Sequence, residues 1–554
     1  MKRIILTCAI SSLCLALVAQ TKANGTLTLN GGIGTATPWG VDARANIKTG
    51  SLTLNPFLNF KGISNKSSEM QQDVSYAYTG IRPLSTSKDS TYTSLEKIKK
   101  TGLEIAYGLQ AKYDINSRNS IEASFKGENL DVHEEGTLKE NLFHKSALMS
   151  STNWMIDNSL MVERAWETEA KYSFTDLKHK RFFRLGYSYQ RNTEDEEKYM
   201  DAIELMNFTE FQNSTIKADA TIQHHNLQAD WEKHFNAHQL DFGARYENRL
   251  IKSNDLQWLD EKQVLEDHFR HQYQTAGIFA NYRWGNKYLK ANARLEYDYT
   301  DMEGNNLHDL IPQAAVEWTI NPEQNLKASY VRRIIRPTLA YLNPAEIRGA
   351  YTLDKGNEEL LGTHINNVSL VYQLKRKIAN FSTTLSHIFV NDGFNAIWME
   401  KKGMRISTWG NEGVRRAWSI TPSVVLSPTI TTTIDARATL IWDKREAYAI
   451  HMAKEHWGIT THLGVKQQIA GGTSISVMGD YSEGNTIDLY SHAGRSYSAG
   501  ANVEHNFGKF CTATLDYRYT EYAKTILTQG AYVGSVFLRP ANHNQASLTL
   551  QFHL

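Results

Sequence analysis

Three arginines stand close together in one stretch of the chain, at Arg332, Arg333 and Arg336. A guanidinium group recognises phosphate or carboxylate through paired hydrogen bonds, so this group can attract an anionic ligand. The competing interpretation is structural: the arginines pair with the protein's own carboxylates, and Pro337 ends strand pairing because proline lacks a backbone donor. We favour the structural role and assign no ligand-binding residue from the sequence.

Histidines recur in pairs that could supply imidazole to a metal or a haem. The pairs are His224 with His225, His268 with His271, and His451 with His456. Residues three apart on a strand face opposite sides, so His268 and His271 are not expected to converge. We expect hydrogen-bonded or solvated histidines, no metal site and no cofactor. The acidic run Glu194–Glu197 is likewise expected to be a solvated loop surface.

Catalytic motifs are missing from the sequence. It contains no Gly-x-Ser-x-Gly elbow, no Walker loop, no Gly-x-Gly-x-x-Gly and no His-Glu-x-x-His. We therefore expect neither an enzyme nor catalytic residues. The formal charge of +1 offers no basic excess that would indicate a nucleic-acid partner.

The N-terminus resembles an export signal. Met1-Lys2-Arg3 is basic, Ile4 to Ala19 is apolar, and Thr21-Lys22-Ala23 supplies a small-residue cleavage site. This pattern predicts a secretory signal peptide over residues 1–23 and an exported domain over residues 24–554. Of the three cysteines only Cys511 lies beyond the signal, and we expect it to behave as a small hydrophobe.

Long segments with alternating apolar and polar residues fill the rest of the chain. One set of alternate positions is apolar: Leu289, Ala291, Ala293, Leu295, Tyr297 and Tyr299. The interleaved set is polar: Lys290, Asn292, Arg294, Glu296 and Asp298. Such segments exceed the ~5–6 residues of an ordinary strand, and one face requires lipid while the other requires water. The pattern predicts an all-β fold, a transmembrane antiparallel β-barrel.

Turn residues divide the barrel into strands. About ten tight turns, beginning with Lys48-Thr49-Gly50 and ending with Gly508-Lys509, alternate with about eleven longer connections. The longer connections include Ser64 to Lys100, Glu134 to Met161, Thr193 to Thr215, Ser253 to Asp267, Ile335 to Leu361 and Lys524 to Arg539. The count predicts about 22 strands, with both termini in the periplasm and the long connections outside the cell.

The last segment of the chain alternates up to its final residue. In Ser547 to Leu554 apolar residues occupy every second position. A strand edge cannot be left unpaired in lipid. We therefore expect this strand to pair with the first one, near Thr26 to Ile33, and to close the barrel.

The predicted location is the outer membrane of a Gram-negative bacterium, with its lipid and lipopolysaccharide as partners. The phosphate groups of lipopolysaccharide are then one kind of anion that the three arginines can attract.

A recognisable signature runs from Ala328 to Gly356. The segment Ala328 to Pro337 is followed by Leu342-Asn343-Pro344 and then by Gly356-Asn357-Glu358-Glu359-Leu360. Together they resemble the outer-membrane β-barrel family of the TonB-dependent receptors of Bacteroidetes. The resemblance implies a 22-stranded barrel and a structural role for the motif residues Asn343, Pro344, Gly356 and Asn357.

The resemblance also implies a plug, because receptors of this family carry an N-terminal domain that fills the barrel. Barrel-type alternation starts here at Leu27 and Leu29, so we expect no plug ahead of the first strand. Inward-folded segments near Ser64 to Lys100 or Glu134 to Met161, lumen side chains, or a separately encoded plug can block the lumen instead. We expect a barrel that takes part in ligand uptake across the outer membrane, with such a plug or a surface lipoprotein as partner. The alternative is a structural or adhesin scaffold.

Overall fold

The structure is a computed structural model. It describes residues 22–33, 38–76, 90–144, 147–204, 209–302, 305–348, 352–401, 404–411, 413–447, 452–486, 491–521, 524–529, 532–539 and 543–553. Most of the predicted signal peptide lies outside these ranges, although the first strand already includes Lys22 and Ala23. Within the described ranges no helix has the length and apolar character needed to cross a membrane.

Strands account for nearly all of the described residues. Their bounds are β1 Lys22–Ile33, β2 Trp39–Thr49, β3 Leu52–Tyr76, β4 Ser90–Asp114, β5 Asn119–His144, β6 Ala147–Asp176, β7 Arg181–Glu204, β8 Thr209–Phe235, β9 His238–Leu259, β10 Lys262–Gly285, β11 Leu289–Met302, β12 Asn305–Asn321, β13 Gln324–Ile335, β14 Ile347–Arg348, β15 Thr352–Asp354, β16 Thr363–Lys375, β17 Ala379–Asn391, β18 Phe394–Lys401, β19 Met404–Asn411, β20 Val414–Leu426, β21 Thr432–Ala447, β22 Met452–Ile469, β23 Thr473–Glu483, β24 Ser491–Ala493, β25 Ser496–Phe507, β26 Cys511–Glu521, β27 Lys524–Gln529, β28 Tyr532–Arg539 and β29 Asn544–His553. One short helix, α1, covers Leu339–Leu342.

The main sheet closes on itself as a barrel. It contains 25 strands, of which 22 form the closed antiparallel wall, while β24, β27 and β28 extend it beside β3. The seam joins β1 to β29, with Thr26 opposite His553 and Ile33 opposite Ala546. The predicted all-β class, the strand number and the closure between the first and last segments are therefore confirmed.

All ten predicted tight turns are found at one end of the barrel. They occupy the short gaps between paired strands, for example Asn236-Ala237 between β8 and β9 and Gly471-Gly472 between β22 and β23. Both of these glycines have positive φ, 82° and 81°, a conformation that glycine adopts without steric cost. The longer connections lie at the opposite end, which is the extracellular end in the predicted orientation.

The two faces of the wall follow the predicted alternation. On β11 Leu295 is 50% exposed on the outer surface, whereas its neighbours Glu296 and Asp298 are 7% and 1% exposed toward the interior. The two neighbouring strands also point apolar side chains outward: Ile278 on β10, and Leu310 and Val316 on β12. An outer surface of this kind suits hydrocarbon, and the polar interior suits water.

The wall is much taller on one side than on the other. Strands β3 to β10 contain between 22 and 30 residues each, although ~9–11 residues suffice to cross a bilayer. We call the part of these strands beyond the bilayer the tall wall. Four segments predicted as connections mostly continue as its strands: Ser64 to Lys100, Glu134 to Met161, Thr193 to Thr215 and Ser253 to Asp267. Treating the polar run Glu194–Glu197 as a loop was wrong for the same reason.

Cross-strand pairing explains why these polar segments remain strands. Lys100 of β4 pairs with Glu134 of β5, and Lys217 of β8 pairs with Glu197 of β7. Opposite charges on adjacent strands stabilise a sheet that has water on both sides.

This pairing also decides one of the proposed ways to block the lumen. The described parts of Ser64 to Lys100 and of Glu134 to Met161 are strands of the wall, so their inward folding is excluded.

Two other connections fold toward the barrel interior. The β13–β16 connection contributes α1, β14 and β15, and the β17–β20 connection contributes β18 and β19. Their strands form a separate sheet in the order β14-β15-β19-β18, in which β15 and β19 run parallel. We call the described residues of these two connections, between 336 and 362 and between 393 and 411, the mouth module.

Candidate ligand site at the extracellular mouth

Apolar side chains attach the mouth module to the inner face of the tall wall. Leu342 and Leu360 of the module are 1% and 0% exposed, and they form one cluster with Ile251 of β9 and Phe269 of β10. Apolar side chains are unusual on a lumen face, which otherwise contacts water. Their burial gives the module a fixed position against β9 and β10.

Polar contacts fix the same junction. Asn343 Nδ2 donates to Ser253 Oγ at 3.2 Å and to Asp255 Oδ2 at 2.8 Å, and both wall residues are buried. Gly356 packs directly on the backbone of Asn343: its N–H donates to the Asn343 carbonyl at 2.6 Å, and an added Cβ would lie 2.4 Å from that oxygen. Asn343 and Gly356 of the family motif thus meet at one point, although thirteen positions separate them in the sequence.

Arg336 joins the base of the module to the barrel. Its Nη2 donates to Thr300 Oγ1 at 2.7 Å and lies 3.8 Å from Asp309 Oδ2. Its guanidinium also stands 5.9 Å from the ring centre of Tyr273. Three strands, β10, β11 and β12, therefore hold this arginine on the lumen side, in the kind of carboxylate pairing that the structural interpretation predicts.

The three arginines of the motif do not form one cluster. Arg332 shares the outward face of β13 with Tyr330, whereas Arg333 occupies the opposite face. Pro337 is buried directly after the strand, and Pro344 follows Asn343 in the module. Asn357 Nδ2 donates to the Trp409 carbonyl at 2.9 Å, so it links the two connections of the module.

The histidine pairs are divided by strand alternation. His224 contacts Glu247 at 2.9 Å in the lumen, while the Nδ1 of His225 lies 2.9 Å from the Tyr187 hydroxyl on the outside. His271 is buried and His268 is exposed. His451 lies outside the described residues. Within the described ranges no group of three or more histidine, cysteine or carboxylate side chains is arranged to hold a metal ion.

A cavity of about 660 Å³ separates the mouth module from the tall wall. Its lining includes Glu194, Glu196, Arg249, Asp354, Lys355 and Trp409. Burial raises the pKa of Glu194, and the neighbouring Glu163 and Glu196 carboxylates raise it further. The cavity thus combines carboxylates, two cations and an indole, which is a lining suited to a polar ligand with an apolar part.

Most of the lining comes from two segments already predicted as long connections, Thr193 to Thr215 and Ile335 to Leu361, but the residues that complete the cavity were missed. Asp255 and Trp409 carry no motif, and they meet only because two distant connections fold onto β9 and β10. One local signal was present: Ile251 is apolar at a lumen position between the polar residues Arg249 and Ser253. An apolar residue on a water-facing stripe indicates that something packs there.

Replacing Asn343 by Ala should loosen the mouth module. The change removes the amide that donates to the Asp255 carboxylate and to the Ser253 hydroxyl. Ser253 still donates to Asp255, so the expected cost is that of one hydrogen bond to a charged group, about 1.5–3 kcal/mol. We expect faster amide hydrogen exchange at residues 339–348, measured by mass spectrometry. Glu358→Ala, an exposed change in the same connection, is the control. Equal exchange in both variants would contradict the anchoring role.

The closed barrel with its tall wall and mouth module has the architecture of an outer-membrane β-barrel. A family model described as the outer membrane protein beta-barrel family matches residues 172–518. The chain belongs to this family, and its location is the outer membrane. No curated protein sequence matches it.

Solved structures with the same architecture include the siderophore receptor PirA from Pseudomonas aeruginosa, with a TM-score of 0.56 and 11% identity over 96% of this chain and 80% of that one. A mutant of the ferric enterobactin receptor PfeA from Pseudomonas aeruginosa gives 0.62 and 10%, over 96% and 81%. The FrpB iron transporter from Neisseria meningitidis gives 0.61 and 10%, over 96% and 81%. At these identities the likeness establishes the fold.

Proposed function

We propose that this protein is a receptor barrel that admits a ligand to its lumen and takes part in moving it across the outer membrane. The observation that carries the proposal is the cavity between the mouth module and the tall wall. It lies at the extracellular mouth, where a ligand arriving from outside first meets the lumen, and it combines charged groups with the Trp409 indole.

The uneven height of the wall gives the ligand a direction of approach. Strands β3 to β10 shield one side of the mouth, whereas β11, β13, β16 and β17 contain only 14, 12, 13 and 13 residues. The mouth module packs against the inner face of the tall wall. A ligand therefore enters over the low rim and meets the module before the lumen.

The second part of the proposal is a separately encoded plug in the lumen. In the described ranges, the segments that leave the wall are short turns and extracellular connections. A barrel of about 22 strands encloses a lumen wide enough for a folded domain. A plug that enters from the periplasm would meet lumen side chains near the tight turns, such as Lys327.

Site-specific photocrosslinking tests this proposal with two adjacent residues of β13. A photoreactive amino acid at Lys327, on the lumen face, should capture a separate polypeptide in native outer membranes. The same amino acid at Ala328, on the outward face beside Val316 and Leu370, should not. If neither position captures a protein and the purified barrel passes no solute in proteoliposomes, transport is rejected.

A scaffold function is the second candidate, and the tall wall favours it. β6 alone contains 30 residues, about 100 Å of extended chain, which is far more than a bilayer requires. Such a wall could present a surface to other cells or proteins. Solute passage through the lumen distinguishes the two functions, because a scaffold has no need of it.

A further inference from the structure

Two neighbouring rows of residues cross the outward face of the low side of the barrel. The first row follows direct strand pairing from Tyr330 through Val368, His387, Trp418 and Trp442 to Trp457. Its side chains face outward, with Trp418 44% and Trp457 67% exposed. Aromatic rings in such a position mark the membrane interface. We call these residues the aromatic row.

The second row lies one step closer to the extracellular side on the same face. It runs from Arg332 through Asn366, Phe389 and Arg416 to Lys444, again by direct pairing across β13, β16, β17, β20 and β21. We call it the basic row. Since the aromatic row marks the interface, the basic row stands at the depth of the lipid headgroups of the outer leaflet.

Neither arginine of the basic row makes an ion pair with a described residue, although the Glu446 carboxylate interacts with Arg416 at longer range. The Nε of Arg332 is buried and makes no hydrogen bond, and the guanidinium of Arg416 stands 5.5 Å from the Phe389 ring centre. Lys444 differs, because Glu446 pairs with it at 2.9 Å. A guanidinium beside hydrocarbon without a counter-charge is costly, so this surface calls for an anion from outside the protein.

The next residue along β20 shows the contrast between the two faces. Arg415 faces the lumen, where its Nε contacts the buried Asp443 Oδ2 at 3.0 Å. Arg336 likewise has Asp309 on the lumen side. These two inward arginines thus pair with carboxylates of the protein itself, whereas the outward Arg332 and Arg416 make no ion pair with a described residue.

We propose that Arg332 and Arg416 bind phosphate groups of an outer-leaflet lipid headgroup. Guanidinium pairs with phosphate through two parallel hydrogen bonds. Three strand spacings separate the arginines, roughly 14 Å, which suits two phosphates of one large headgroup. Between them lies Asn366, whose Oδ1 accepts from the Tyr330 hydroxyl at 2.8 Å, so its amide N–H groups are the donors left for the headgroup. The aromatic row lies next to these arginines on the membrane side, so the acyl chains of a bound lipid can pack against it. A soluble anion would gain no such contact, and the surface therefore favours a lipid.

Native mass spectrometry of the purified full-length barrel tests the proposal with lipid A, which carries two phosphates, as the probe. Arg332→Gln with Arg416→Gln should reduce the retained lipid A about tenfold or more, the loss expected for charge-assisted contacts. Arg437→Gln is the control, because it removes one arginine from the lumen face of β21; Arg332→Gln and Arg416→Gln, each made singly, are compared with it. The gel shift of the unheated barrel verifies that each variant is folded.

A second arm uses the unchanged protein and so does not depend on the folding of a variant. Dephosphorylated lipid A should bind as weakly as lipid A binds to the double variant, and millimolar inorganic phosphate should not displace lipid A. The proposal is overturned if dephosphorylated lipid A binds equally well, or if Arg437→Gln lowers retention as much as the double change. Displacement of lipid A by inorganic phosphate would assign the site to a soluble anion and would equally overturn it.

Discussion

Replacing Ala293 by Arg should destabilise the barrel by about 2–4 kcal/mol, the cost of placing this cation on the lipid face near the bilayer midplane. Ala293 is exposed on the outer surface of β11. It lies between Leu289, next to the tight turn after β10, and the outward tyrosines Tyr297 and Tyr299 near the opposite end of the strand. The free energy of unfolding, measured by urea titration in lipid vesicles, provides the test.

Ala315→Arg is the matched control, since it introduces the same side chain on the opposite face. Ala315 lies on β12 directly opposite Asn292 and lines a lumen cavity of about 530 Å³. Water and the nearby Glu317 carboxylate can accommodate the new cation. We expect a change of about 1 kcal/mol or less, as for surface substitutions elsewhere. Equal destabilisation by both variants would mean that the assigned faces are wrong.

The barrel itself could be predicted from local signals. Alternation with a period of two specifies which face of each strand meets lipid, and turn residues such as Gly471-Gly472 specify where strands end. Closure then follows without further information, because an unpaired edge is not tolerated in lipid. The predicted pairing of Thr26 to Ile33 with the last strand is observed residue by residue.

The tall wall was not predictable in the same way. Beyond the bilayer both faces of a strand contact water, so segments such as Thr193 to Thr215 lose the apolar alternation and resemble loops. What keeps them extended is pairing between distant residues, such as Lys100 with Glu134. A single sequence does not reveal which of its charges will be opposite each other.

The mouth module escaped prediction because its contacts join distant parts of the chain. Leu342 and Leu360 pack on Ile251 and Phe269, and no local pattern relates these residues. The arginine motif was different: strand alternation alone places Arg332 and Arg333 on opposite faces. The structure adds that the carboxylate near this motif, Asp309, lies on the lumen face. This explains why Arg336 has a partner in the protein, whereas Arg332 has none among the described residues.

Removing the mouth module should raise the conductance of the barrel several-fold. The module narrows the mouth, and the conductance of a pore is limited by its narrowest cross-section. Short Gly/Ser turns can replace residues 337–361 and 393–411 without disturbing the wall, because Ile335 is already paired with Thr363 and Asn391 with Val414. Single-channel recordings of the purified protein in planar bilayers measure the change.

The control for this experiment is a turn replacement at the tip of the tall wall. Asp260 and Glu261 both have positive φ, 49° and 63°, so Asn-Gly fits the same turn. This variant should conduct like the unchanged protein, because the β9–β10 tip does not line the cavity. An unchanged conductance after removal of the module would show that it does not restrict the lumen. The proposed entry route over the low rim would then lose its support, because a ligand could reach the lumen without meeting the module.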